Sequence, residues 1–264
     1  RALMPKPRAT SVANRGYQVN SKGAALDHQI IYGEVRTGGA IVYDEATGDN
    51  NQYLNRVIAV AGHEVEEFVE FYLNGEEVTI DSSGIVTAPA KYANKVVIRT
   101  KSGTDDQAAE ASLVAQSAGL WTENHRLRGI AYIYVKFTYD SDSFPNGVPT
   151  VTALVKGKKV KDPSTGVVAW SDNPALCLRD YLTNTGYGLG EEEANIDDDL
   201  VTAAKNVCDT HIGGKDKFGC NGVFITAEIP SDIMEDVLSS MGGSLWYSQG
   251  KWRMKPAYWT EPVL

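Results

Sequence analysis

From Gly129 to Tyr139 the chain alternates without a break. Ala131, Ile133, Val135, Phe137 and Tyr139 fall on one side; Tyr132, Tyr134, Lys136 and Thr138 fall on the other. A side-chain period of two belongs to a strand, not a helix. The spacing predicts a long, half-buried strand, with the aliphatic side against a core and the Tyr/Lys/Thr side turned outward. Such a strand needs sheet neighbours, and the sequence around it supplies candidates.

Before it, residues 28–36 and 40–43 read as strands around Gly38-Gly39, a hairpin signal, and Tyr53–Ala61 and Glu64–Leu73 as two more. Asn74-Gly75 is a strong two-residue hairpin turn, because both residues tolerate positive φ, and Val78–Ile80 pairs back across it. Val96–Thr100 is a further strand. Gln107–Gln116 is alanine-rich and helical, with Asp105 or Asp106 near its N-cap. After the central strand come a loop (140–147), a strand from Thr150 to Lys156, a basic run through Lys158, Lys159 and Lys161, and the turn Asp162-Pro-Ser-Thr-Gly166.

The second half changes character. Asn173-Pro174 marks a helix start, with an N-cap acceptor ahead of proline at N1. Leu178, Tyr181 and Leu182 form its stripe, and Gly186 and Gly188 its stop. Asp197–Asp209 is a second helix whose acidic first turn suits the helix dipole. Asn221–Thr226 reads as a strand. Ser231 caps a third helix, ended by Gly242-Gly243, and a hairpin closes around Gln249-Gly250. The fold class is α+β and β-rich. Residues 1–25 are an extended arm or linker, 26–165 a β-rich domain with one short helix, and 166–264 an α+β domain of three helices and a closing hairpin.

Composition excludes several function classes. Net charge is −9 over 264 residues, a poor balance for nonspecific nucleic-acid binding, which neutralises phosphates. Apolar runs are too short for a membrane helix of roughly 20 residues. No secretory signal is visible at the start, and the lack of an initiator methionine reads as a piece of a longer polypeptide. Three widely spaced cysteines, Cys177, Cys208 and Cys220, form no disulfide framework.

Candidate chemistry is thin. Cys208, His211 and Cys220 lack a fourth zinc ligand at the usual spacing. Asp140, Asp142 and Ser143 lack the glycine and distal glutamate of a calcium loop. Gly186, Gly188 and Gly190 follow a helix, whereas a dinucleotide loop follows a strand. Glu191, Glu192 and Glu193 with Asp197, Asp198 and Asp199 offer carboxylates for glycoside hydrolysis, but a solvated linker and a helix start explain them. The lysines from Lys156 to Lys161 read as DNA or acidic-partner contacts, or, with more weight, as guards on a sheet edge. No residue is assigned as catalytic, cofactor-binding or metal-ligating, and no cofactor is expected.

The segment from Trp170 to Gly190 resembles the tail-tip (host specificity) protein J family of long-tailed phages. The match rests on Asn173, Ala175, Cys177, Leu178, Asp180, Leu182, Thr183, Tyr187, Gly188 and Gly190, with a departure at Leu176, where family members can carry tryptophan. Weaker matches follow in the same order at Cys208-Asp209, Cys220-Asn221, Ile233–Met241 and Trp246–Trp252, and precede it at Ile31–Gly33, Arg56–Glu64, Leu127–Tyr132, Phe144–Pro149 and Lys156–Val160.

The resemblance implies baseplate-hub-like domains with a β-barrel or β-sandwich part and a smaller α+β part. It implies a structural component of a virion, assembled in the bacterial host cytoplasm as a homotrimer. Its partners are other tail-tip and distal tail proteins and the tape measure protein, with DNA passing the lumen without specific binding. It implies no enzyme. In that setting Tyr132, Tyr134, Lys136 and Thr138 are a candidate subunit contact. The rival readings are a receptor- or glycan-binding adhesin and a cell-wall hydrolase.

Overall fold

The computed structural model describes residues 18–23 and 26–258; most of the expected N-terminal arm lies outside them. The strands β1 (Asn20–Ser21), β2 (Gln29–Tyr32), β3 (Glu34–Thr37), β4 (Gly39–Thr47), β5 (Tyr53–Ala61), β6 (Val65–Leu73), β7 (Glu76–Ile80), β8 (Val86–Ala88) and β9 (Val96–Lys101) come first. The short helix α1 (Ala111–Gln116) and the strands β10 (Ala131–Thr138) and β11 (Val151–Lys161) follow. The remainder is β12 (Val168–Trp170), α2 (Pro174–Thr183), α3 (Asp198–Cys208), β13 (His211–Ile212), β14 (Lys215–Asp216), β15 (Gly222–Ile225), α4 (Pro230–Ser240), β16 (Ser244–Ser248) and β17 (Lys251–Lys255). The β-rich α+β expectation is borne out.

One sheet has the order β1-β4-β5-β10-β9, and a second has β12-β11-β6-β7-β8, with β3 also on β11. The sheets meet at both corners. At one, β3 and β4 are consecutive, so a single bent stretch pairs with β11 and then with β5. At the other, Ile85 bridges Val97, and the Ile98 N–H donates to the Gly84 carbonyl at 2.7 Å. The wall therefore runs round a barrel-like core of Val35, Ile58, Val60, Leu73, Val96, Ile133, Val135 and Val155. Each such aliphatic side chain, fully buried, contributes about 1.5–3 kcal/mol.

Gly38-Gly39 is thus not a hairpin turn, because the strands on either side pair elsewhere. Gly39 is in the wall for close approach: a Cβ there would lie 2.1 Å from the Ala59 carbonyl oxygen. The Asn74-Gly75 turn forms as expected, with φ of 49° and 85°, and it sets Phe71 opposite Val78.

The central strand differs from expectation on its outward side. Tyr132 and Tyr134 are buried, at 0% and 1% exposure. They pack with Val57, Leu113 and Trp121 in a small separate core under α1. The Tyr134 hydroxyl donates to Asn55 Oδ1 at 2.7 Å. Tyrosines alternating with aliphatics mean burial on both faces here, because α1 and the chain after it fold over the barrel wall. The helix begins later than expected, with Glu110 as its N-cap.

The second core holds α2, α3, α4 and the β16–β17 hairpin, with Leu178, Leu182, Val201, Ile233 and Met254 inside. β2 belongs to both cores. It pairs antiparallel with β15; Ile31 points into the barrel, and Ile30 and Tyr32 point into the helical core. α4 starts at Pro230 after Ile229 and has no side-chain cap, so Ser231 does not serve as one. No helix among the described residues is long and apolar enough to cross a membrane.

Candidate functional site

The signature segment builds a buried joint rather than an open cleft. Asn173 caps α2: its Oδ1 accepts from the N–H groups of Ala175 and Leu176. Its Nδ2 donates to the Lys205 carbonyl at 3.1 Å and to Asp209 Oδ1 at 2.7 Å, which ties the start of α2 to the end of α3. One turn-and-a-half along, Arg179 is 2% exposed and donates to both Asp198 carboxylate oxygens, from Nε at 2.7 Å and from Nη2 at 3.1 Å.

Asp180 points the other way, toward β2. Its Oδ2 accepts from the Tyr32 hydroxyl at 2.7 Å and from the Tyr187 hydroxyl at 2.5 Å. Burial raises the Asp180 pKa, and the two tyrosine bonds and the Lys158 charge oppose that rise. Burial, then the Asp180 charge, pushes Tyr32 and Tyr187 well above the usual phenol range. Lys158 Nζ sits 5.8 Å from the Tyr187 ring centre, and the His63 ring is 6.4 Å from it on another side.

His63 completes the joint. Its Nε2 accepts the Ile31 N–H at 3.0 Å, and its Nδ1 lies 2.8 Å from the Glu64 carbonyl oxygen. Those partners require a neutral ring with the proton on Nδ1. Burial lowers its pKa to about 4, and the nearby Lys158 adds to the effect.

Two glycines make the approach of these elements possible. A Cβ on Gly157 would lie 2.1 Å from the Ile31 carbonyl oxygen, so β2 can cross β11 only at a glycine. A Cβ on Gly188 would lie 1.9 Å from the Tyr181 carbonyl oxygen. Gly188 therefore folds the post-helix loop back onto α2, and Tyr187 reaches Asp180 as a result. α2 itself ends at Thr183, with Asn184 as its C-cap, before the glycines expected to stop it.

The other sequence candidates do not converge on this joint as a reactive set. Cys208 and Cys220 are buried, whereas the His211 side chain is 71% exposed and faces Asp216. Among the described residues no group of His, Cys, Asp and Glu is arranged to hold a metal. Asp140 Oδ1 accepts from the N–H groups of Asp142 and Ser143, a turn, and its other oxygen pairs with Lys95 at 2.5 Å. Glu193 pairs with Lys161 at 2.7 Å, Asp198 with Arg179, and Asp197 caps α3 and pairs with Arg253 at 3.0 Å.

The edge reading of the lysine run is corrected. β11 is an internal strand, with β6 on one side and β3 and β12 on the other, so the lysines guard no edge. Lys156 pairs with Glu67 at 3.1 Å, Lys159 with Glu64 at 2.9 Å and Lys161 with Glu193 at 2.7 Å. The proposed contact face on β10 is corrected as well, since its tyrosines are covered by the same chain. A surface hollow of about 350 Å³ lies elsewhere, beside Leu26, His28, Ile41 and Gly62. The sequence places Tyr32 in a strand and marks the stretches containing Tyr32, His63 and Gly157 as points of resemblance, with nothing to relate the three to one another. Their common role needed the crossing of β2 over β11 to become visible.

No family model matches this chain. A tip attachment protein J of Escherichia phage SECphi27 is 26% identical over 217 aligned positions, which take in 72% of this chain and 18% of the relative. The chain thus spans less than a fifth of that relative's length. A chain from the virion of a native gene transfer agent particle shares the fold, with a TM-score of 0.53 and 18% identity, over 94% of this chain and 56% of that one. The resemblance carried by the sequence motifs is borne out: this chain is similar to a segment of a phage tip attachment protein J and shares its fold with a chain of a virion particle.

Proposed function

We propose that this chain is a hub segment of a phage tail-tip protein, a structural part of the virion that helps close the tail tube and carries host-attachment regions located elsewhere in a longer polypeptide. The observation that supports it most is the fate of the signature residues. Asp180, Tyr187 and Gly188 serve a joint between the strand shared by both cores and α2, Asn173 ties α2 to α3 within the second core, and none of them is aimed at a cleft where a substrate could react. In this reading residues 26–165 and 166–264 are two units, with β2 shared between their cores. A fixed angle between them is what a tube-closing ring requires of each subunit. Three copies form the ring, distal tail and tape measure proteins bind it, and DNA passes without specific contacts, consistent with the chain's charge of −9. The role is non-enzymatic.

The test uses the full-length tail protein in its phage. Asp180→Ala, which breaks the joint, is expected to give particles whose tails lack a tip by negative-stain microscopy. The purified full-length wild type is expected to be trimeric by light scattering. Intact tips on particles lacking residues 26–258 would overturn the reading, as would clearing of peptidoglycan by the purified chain.

A further inference from the structure

β16 is an outer strand. Among the described residues it pairs with β17 alone, so one row of its backbone donors and acceptors faces outward. Exposed edges are normally blunted by lysine, proline or a bulge. Ser244-Leu-Trp-Tyr-Ser248 has none of these, and its pairing with β17 runs without a register shift. It also carries two large exposed aromatics, Trp246 at 40% and Tyr247 at 56%.

The register sorts the faces. Leu245 and Tyr247 lie opposite Met254 and Trp252; Leu245, Met254 and Trp252 meet the helical core, and Tyr247 packs edge-on against Trp252 while staying exposed. Trp246 lies opposite Arg253, with Lys251 and Lys255 at the flanking positions. The outer face of the hairpin is therefore basic and aromatic, on a chain whose net charge is −9. Arg253 is held by Asp197; Lys251 and Lys255 are exposed, and Lys255 Nζ sits 5.0 Å from the Tyr258 ring centre.

We propose that the edge of β16 accepts an extended, acidic polypeptide segment as an added strand. Such a strand would lie about 4.8 Å from β16 and about 10 Å from β17. A glutamate and a lysine side chain together span that second distance, so acidic residues on its outer face reach Lys251 and Lys255 past Trp246. Main-chain bonds supply affinity and the alternate side chains supply selection. Nucleic acid fits less well, because phosphates do not use the strand edge and the acidic chain repels them. The inference rests on the geometry of the second core and stands apart from the tail-tip reading.

The test uses a fluorescent, capped peptide of about eight residues alternating valine and glutamate. Its controls are the same peptide with lysine for glutamate and a single-stranded deoxyoligonucleotide. Fluorescence anisotropy is expected to show the glutamate peptide binding at least about tenfold tighter than the lysine peptide, with the β16 amides slowed in hydrogen exchange. Lys251→Glu combined with Lys255→Glu, both surface changes, is expected to reverse that preference. Absence of glutamate-peptide binding below about 1 mM, equal binding of the two peptides, or an unchanged preference in the double variant would overturn the proposal. So would binding of the oligonucleotide alone, or a dimer of the chain that excludes the peptide.

Discussion

Tyr32 and Asp180 are 148 positions apart in the chain and 2.7 Å apart between hydroxyl and carboxylate oxygen. That one bond joins the strand shared by both cores to the helix of the signature segment. Tyr187 donates to the same oxygen, so the carboxylate sits at the centre of a small buried network.

Removing the centre should cost more than removing an arm. Asp180→Ala leaves two buried phenols without an acceptor, and is expected to lower unfolding free energy by about 2–5 kcal/mol. Tyr187→Phe loses one donor and is expected to cost about 1–2 kcal/mol. Urea unfolding followed by tryptophan fluorescence measures both. Equal losses for the two variants would contradict a shared network.

The crossing of β2 over β11 depends on the missing side chain at Gly157. Gly157→Ala places a methyl against a backbone carbonyl that cannot rotate away, and is expected to cost more than about 3 kcal/mol or to prevent soluble expression. Gly129→Ala is the control: φ is +75° with nothing within 4 Å, so only backbone strain of about 1 kcal/mol applies. Thermal melts of both variants decide the matter.

His63 gives the protein an acid-sensitive step. Its folded pKa of about 4 lies below the ordinary histidine value of 6.5, so below that upper value the unfolded chain binds the extra proton and stability falls. The loss grows from pH 6.5 to pH 4 and reaches about 3 kcal/mol. The raised pKa of Asp180 acts in the opposite sense as pH falls, because the folded state then takes up its proton first. Subtracting the pH profile of His63→Gln from that of the wild type isolates the histidine. A difference that does not change between pH 6.5 and pH 4 would refute the assignment.

On the outer wall of β10, the two tyrosines should respond differently to the same change. Tyr134→Phe strands Asn55, whose oxygen accepts from the hydroxyl, and is expected to cost about 1–2 kcal/mol. The Tyr132 hydroxyl has no hydrogen-bond partner of good geometry among the described residues, so Tyr132→Phe is expected to be within about 0.5 kcal/mol of neutral. Denaturant midpoints of the pair provide the comparison.

Local signals were legible wherever the physics is local. The sequence bounds the strand Tyr53–Ala61 to the residue. The Asn74-Gly75 and Gln249-Gly250 turns follow from residues that accept positive φ, and the start of α2 from a side-chain cap followed by proline. The failures share a different cause. Gly38-Gly39 looked like a turn, Tyr132 and Tyr134 like an exposed face, and Lys156–Lys161 like a guarded edge. In each case the deciding neighbour lies elsewhere in the sequence: Ala59 for the glycine, Leu113 and Trp121 for the tyrosines, and the strands β3, β6 and β12 flanking β11 for the lysines.

By itself, then, the sequence determined the alternation of the barrel strands, the capped α2 helix and the serial motifs of a tail-tip relative, because period, cap and turn are properties of adjacent residues. The tertiary structure alone decided what the motif is for. Asp180 becomes the acceptor of a joint, rather than a surface acid, only when Gly157 lets β2 cross β11 and Gly188 folds Tyr187 back onto α2. Those approaches bring together residues that no local pattern relates, and burial then raises the cost of leaving any of their polar groups unpaired.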